Sequence, residues 1–203
     1  MFYDPRDPAG HGLPHDPFKS IVAPRPIGWI STQDAEGNVN LAPYSFFNAV
    51  CYPPHIVMFS SSELDDDPRK HSRRNAEDTG EFVCNLVTAD LTDAMHLSAA
   101  HFPRGVDELA MVGLTTEPSR MVKPPRVKES PAHLECKYLK TVIFESDNPG
   151  STHGVVFGEV IGIHISDSVL TEGMVDIAKL RPVARLGYRD YTIVETAFSR
   201  PNP

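Results

Sequence analysis

Proline placement constrains this chain more than any other feature. Nineteen of its 203 residues are proline, and several stand in pairs or at alternate positions: Pro24 and Pro26, Pro53-Pro54, Pro124-Pro125. Each fixes φ and removes a backbone donor, so no long helix runs through them. Between them lie short apolar or β-branched runs bounded by turn residues, the pattern of strands joined by shaped loops. Strands are predicted at 27–32, 39–41, 44–50 after a break at Pro43, 56–59, 81–87, 133–145 and 155–165. Short helices are predicted over 68–78 with Pro68 at the first position, over 90–100 with Asp90 as N-cap, and near 172–180. No strand–helix–strand alternation occurs and no GxGxxG is present, which argues against a doubly wound dinucleotide sheet. The predicted class is mainly β with minor α, a barrel carrying short peripheral helices. Residues 1–17 read as an irregular N-terminal arm and 18–203 as a single domain. The long connection 105–128 is expected to pass over a site or a partner subunit.

Composition removes several function classes. A net charge of −8, with one dense basic cluster (Arg69, Lys70, Arg73, Arg74) after Asp65-Asp66-Asp67, suits a phosphate or two but not a nucleic acid. No apolar run reaches the ~18 residues of a membrane span, and the N-terminus lacks a leader pattern, so a cytoplasmic protein with no membrane partner is expected. Three cysteines without a CxxC spacing write neither a zinc ribbon nor a redox dithiol. All three read as small buried hydrophobes. Nine histidines raise the question of a metal, but His96 and His101 do not have ligand spacing and His11 and His15 lie in the arm, so no metal is assigned. Ser60-Ser61-Ser62 lacks the glycine elbow of a hydrolase.

The informative signal is distributed. Apolar, aromatic and amide groups crowd Ala42–Val50, hydroxyls follow at Ser60–Ser62, and Lys70, Ser72, Arg73 and Asn75 lie beyond an acidic loop. A flat heteroaromatic ring needs apolar walls with a few edge hydrogen bonds, and a phosphate needs hydroxyls, N–H groups and a cation. Both demands are met between residues 42 and 75. Asn48, an amide among apolar neighbours, needs partners and is favoured as a ligand contact. In the strand 155–165, Val156, Gly158, Val160 and Gly162 fall on one face, to admit either a flat ligand or a tight barrel bend. Trp29 suits core and ligand contact equally, Arg185 an ion pair or a site, and Phe157 the core.

The run Pro24-Arg25-Pro26-Ile27-Gly28-Trp29-Ile30-Ser31-Thr32, followed by Asn40-Leu41-Ala42-Pro43-Tyr44-Ser45-Phe46-Phe47-Asn48 and Pro53-Pro54, resembles the flavin reductase-like, FMN-binding split-barrel family. Lys70-His71-Ser72 with Asn75, Gly80-Glu81-Phe82-Val83, Gly158-Glu159-Val160 and Ala184-Arg185-Leu186-Gly187 with Tyr191 extend the likeness over about 18–191. His71 stands where the family commonly has Asp, and Cys51 where Ser is common. The resemblance implies a split β-barrel, a homodimer, and FMN as cofactor. It puts Ser45, Phe47, Asn48, Ala49 and Val50 along the isoalloxazine. Ser60, Ser61, Lys70 and Ser72, with Asn75, belong to the phosphate end, and Trp29, Ser31 and Thr32 lie beside the ring or ribityl chain. The implied activity is hydride transfer from NAD(P)H to flavin N5, aided by backbone N–H groups and needing no catalytic side chain. A flavin-bound electron carrier or an oxidoreductase using another donor is the alternative, and a flavin-free binding module a third.

Overall fold

The computed structural model describes residues 1–7, 10–62, 70–100, 108–147 and 151–201. Pro68, the run Asp65–Asp67, Arg69, His101 and the first part of the 105–128 connection fall outside these. After helix α1 (Phe18–Ile21) and the short strand β1 (Arg25–Pro26), strand β2 (Gly28–Gln33) turns through Asp34–Asn38 into β3 (Val39–Tyr44). Gly37 takes φ +94 in that turn, a conformation open to glycine at little cost. Pro43 does not break the strand as expected. It lies within β3, which pairs only with β2, and an edge strand tolerates a missing N–H. The break falls at Ser45-Phe46, after which β4 (Phe47–Cys51) pairs with β5 (Ile56–Ser62).

Helix α2 (His71–Thr79) leads through Gly80, in the left-handed region, into β6 (Glu81–Leu86). The expected helix over 90–100 is shorter: a 3-10 turn, Ala89–Leu91, runs into α3 (Thr92–Leu97). Asp90 caps nothing, because it lies inside the 3-10 turn, which Thr92 Oγ1 ties to Ala89 O at 2.7 Å. Helix α4 (Glu108–Met111) and the paired strands β7 (Thr116–Glu117) and β8 (Arg126–Val127) precede two long strands, β9 (Ala132–Glu145) and β10 (Thr152–Ile165). The hairpin of β11 (Leu170–Thr171) and β12 (Met174–Val175) comes before α5 (Ile177–Leu180), capped by Asp176 on the N–H groups of Ala178 and Lys179. Strands β13 (Val183–Arg185) and β14 (Tyr191–Ile193) form a small sheet with β1.

The main sheet runs β3-β2-β6-β9-β10-β5-β4. Its two edge strands are consecutive in the chain, so the stretch 39–51 closes the sheet into a barrel whose seam is Ser45-Phe46. The Ser60 N–H donates to Phe46 O at 2.8 Å across it. Alternation then divides β2. Ile30 points into the lumen with Tyr44, Val57, Phe59, Phe82, Cys84, Cys136 and Val156. Trp29 points outward into a second cluster with Leu41, Val87, Met95, Leu109, Val127 and Val183. Gly158 makes room for the Phe82 ring, which a Cβ would approach to 2.3 Å. A bulge between Val160 and Gly162 turns Gly162 toward Glu135 instead, so the two glycines do not share a face and their role is packing. Phe157 is not core: it lies half-buried on the outer face of β10, with Lys140 over its ring. Cys84 and Cys136 are buried, but Cys51, at the end of edge strand β4, is exposed. Among the described residues no helix is long and apolar enough to cross a membrane.

Candidate functional site

Three pieces of chain meet at one end of the barrel: the end of β5, the start of α2 and the β3–β4 crossing. Ser61 continues the lumen-facing row of Val57 and Phe59, is fully buried, and its Oγ has no hydrogen-bond partner of good geometry. Opposite it in the ladder is Gly154. The Arg73 guanidinium fills the space a side chain would take there, since a Cβ on Gly154 would lie 2.7 Å from Nη1. Arg73 is only 7% exposed; its Nε donates to Glu77 Oε1 at 2.8 Å, and Thr141 Oγ1 donates to the same oxygen at 2.8 Å. A buried guanidinium requires such pairing.

Tyr44, at the end of β3, carries its hydroxyl to those of Ser72 and Ser61. Burial pushes its phenol up to about 12, against the pull of the two serines, so it stays protonated. Ser72 Oγ lies 2.8 Å from the Asn40 amide. With the amide oriented so that both ends are satisfied, its oxygen accepts from Ser72 and its nitrogen donates to Glu108 at 3.3 Å. Helix α2 starts with Lys70 at its N-cap position and no side-chain capping bond. A cation is unfavourable at the positive end of a helix dipole, and lysine cannot accept from the first amides. A bound anion reverses both penalties.

The seam supplies the second half of the site. Ser45 is half-buried, Phe46 is 39% exposed, and Asn48, Ala49 and Val50 are exposed. Asn48 Oδ1 accepts the Ala49 N–H at 2.9 Å, and a register shift between Ala49 and Cys51 bulges Val50. Among the described residues strand β4 pairs on one side only, so one backbone edge has no strand beside it there. Phe47 turns inward under Gly28, where a Cβ would meet its ring at 2.5 Å, and lines an apolar cavity of about 230 Å³ with Ile27, Leu134, Ile163 and Leu180.

Ser61 and Ser72 thus meet at the Tyr44 hydroxyl, Lys70 is the N-cap of the helix that carries Ser72, Ser60 lies on the opposite face of β5, and Ser45, Phe47, Asn48, Ala49 and Val50 lie along the seam. Four expected contacts lie elsewhere. Trp29 is fully buried with its Nε1 donating to Ser98 Oγ at 2.9 Å. Ser31 Oγ donates to Pro125 O at 2.7 Å and accepts from Asn85 Nδ2 at 3.1 Å. Both are on the outward face of β2, because strand alternation sets them opposite Ile30. Thr32 and Asn75 are buried and bonded to each other at 3.2 Å, fixing α2 to β2 rather than opening on the cleft. Arg73, grouped with Lys70 in the sequence as a cation for a phosphate, is instead tied to Glu77, and Tyr44, expected along the ring segment, turns its hydroxyl to Ser61 and Ser72. Arg185 makes no ion pair among the described residues: it donates to the Tyr191 hydroxyl and, at 2.6 Å, to Tyr188 O.

A seven-stranded sheet closed into a barrel by one chain segment, with buried hydroxyls and Arg73 gathered at one end, has the architecture of a split barrel. Residues 21–185 match the flavin reductase like domain, and the chain belongs to that family, which binds flavin and places it among flavin-linked oxidoreductases. A curated protein of Aquifex aeolicus is 41% identical over 172 residues, covering 84% of this chain and 85% of its own. The crystal structure of nitrilotriacetate monooxygenase component B from Bacillus cereus superposes with TM-score 0.89 at 24% identity, covering 98% of each chain. That of 2-nitrobenzoate 2-nitroreductase from Pseudomonas fluorescens gives 0.78 at 26% identity, covering 92% of this chain and 88% of its own.

Proposed function

We propose that this chain binds FMN and reduces it with NADH or NADPH. The phosphate would occupy the seat of Ser61, Lys70, Ser72 and Arg73, and the ring would lie along the seam from Ser45 to Val50. One observation carries this reading: a lysine at the positive end of α2 at the same barrel end as the fully buried hydroxyls of Ser61 and Ser72, which face the Tyr44 phenol. A phosphate dianion answers both. When bound, FMN would supply two-electron chemistry, with a dihydronicotinamide as hydride donor and NAD(P)+ as its product. The free backbone edge of β4 offers N–H groups where charge builds on reduction, Phe46 and Val50 exclude water, and no side chain has to move a proton. We also propose a homodimer through the outer face of β4, β5, β10 and β9. There Val50, Met58, Val142, Phe144, Val155 and Phe157 form a shallow apolar groove, the kind of contiguous surface that partners cover.

Titration with FMN and with riboflavin tests the assignment. Lys70→Ala should weaken FMN about tenfold or more, the worth of a charge-assisted bond, and leave riboflavin unchanged. Equal loss for both would move Lys70 out of the phosphate seat, and absence of binding by either would end the cofactor assignment. Steady-state oxidation of NADH and NADPH by the FMN-loaded protein checks the donor.

A further inference from the structure

Strands β1 and β13 place Arg25 directly opposite Arg185. Like charges facing across an antiparallel pair are destabilising. A structural pair of that kind is normally neutralised by a carboxylate, and this chain has 27 of them. Yet neither guanidinium meets one among the described residues. Arg25 is 6% exposed. Its Nη1 donates to Lys19 O and Val22 O, its Nη2 to Leu186 O at 2.9 Å, and its Nε is buried without a partner. Burial first, and then the charge of Arg185, draw the Arg25 pKa below its ordinary value. Arg185 stacks on Tyr191 with its Cζ 4.3 Å from the ring centroid.

The carbonyl partners explain Arg25 as a staple that holds α1 against the β13–β14 turn, where Gly187 leaves no room for a Cβ beside Ser20. They do not explain a second arginine facing it. The pair also adjoins the seam, since Arg25 Cζ lies 5.6 Å from the Phe46 ring centroid. Two guanidiniums, one half-exposed, beside the exposed ring that opens the flavin segment, have the chemistry of a seat for a phosphoryl anion.

We infer that Arg185, facing Arg25 across β1 and β13, binds the pyrophosphate of the nicotinamide dinucleotide donor at the Phe46 lip, an anion seat separate from that of Lys70 and Arg73. This rests on the reductase reading above. The FMN-loaded protein is assayed with NADH, NADPH and 1-benzyl-1,4-dihydronicotinamide, which has no phosphate. Arg185→Gln should raise KM for the dinucleotides about tenfold, with kcat little changed and the benzyl donor unaffected, and Arg185→Lys should fall between. Inorganic pyrophosphate added to FMN-saturated protein should raise the melting temperature at matched ionic strength, and the rise should vanish in Arg185→Gln. Equal KM changes for all three donors, or no pyrophosphate shift in the unmodified protein, would overturn the inference. A protein that binds FMN, shows the pyrophosphate shift and is reduced by none of the donors would instead sink the reductase reading.

Discussion

His133 shows how one buried side chain sets a pH dependence. Its Nε2 lies 2.8 Å from Val127 O, its Nδ1 is buried without a partner, and the His164 ring is 6.0 Å away. Burial lowers its pKa, the Val127 carbonyl opposes that, and Arg126 and His164 reinforce it. The native state therefore keeps the imidazole neutral where the unfolded chain takes up a proton. By linkage, this contribution is whole well above the ordinary value of 6.5 and is lost as pH falls through it. Melting temperature should drop between pH 7 and pH 5, and less steeply in His133→Gln. Parallel curves for the two proteins would show that another group governs the slope. At the same scale, Lys70 and Ser72 were legible as site residues because a motif carries them. Arg73 was legible as a cation, but its burial and its pairing with Glu77 were not, since that pair looks in the sequence like an ordinary helix-surface pair four residues apart.

The segment 114–130 is a strap, pinned to the chain's own strands by polar side chains. Glu135 on β9 is fully buried and accepts the N–H groups of Arg120 at 2.8 Å and Met121 at 2.6 Å, together with the His164 ring. Burial would raise the Glu135 carboxyl, but these donors hold it below the usual carboxylate value. Glu81 accepts from Lys123 N–H at 2.7 Å, Asn85 from Val127 N–H at 2.8 Å, and Ser31 donates to Pro125 O. Glu135→Gln presents an amide donor to N–H groups that need an acceptor, and an unsatisfied buried group costs about 1–3 kcal/mol. The variant should be destabilised by that much, and trypsin should cut after Arg120 faster than in the parent. Unchanged cleavage would mean that Glu135 does not hold the strap. The strands were legible because alternation and proline boundaries are local. The strap was not, because its fixings are polar residues on strands remote in sequence, and Ser31 there looks the same as a ligand hydroxyl.

At the scale of the molecule, the apolar outer face of β4, β5, β10 and β9 and the site share strand β4, with Asn48 and Val50 looking outward beside Phe144, which is 56% exposed. Phe144→Glu should convert a dimer to a monomer in light scattering at micromolar concentration, leaving the far-ultraviolet spectrum intact. An unmodified protein that is already monomeric would remove the dimer proposal. The fold class came through the sequence because prolines and turn residues parse the strands; the closure did not, because Pro43 drew the expected break away from Ser45-Phe46. That displaced joint matters. Both free rims of the sheet belong to one unbroken ribbon, so the wall has a single stitch line, and the proposed guest lies along it. Loading the cofactor and tightening the stitching then become one event, and an empty chain would slacken along this line while the long β9–β10 hairpin behind it stays taut.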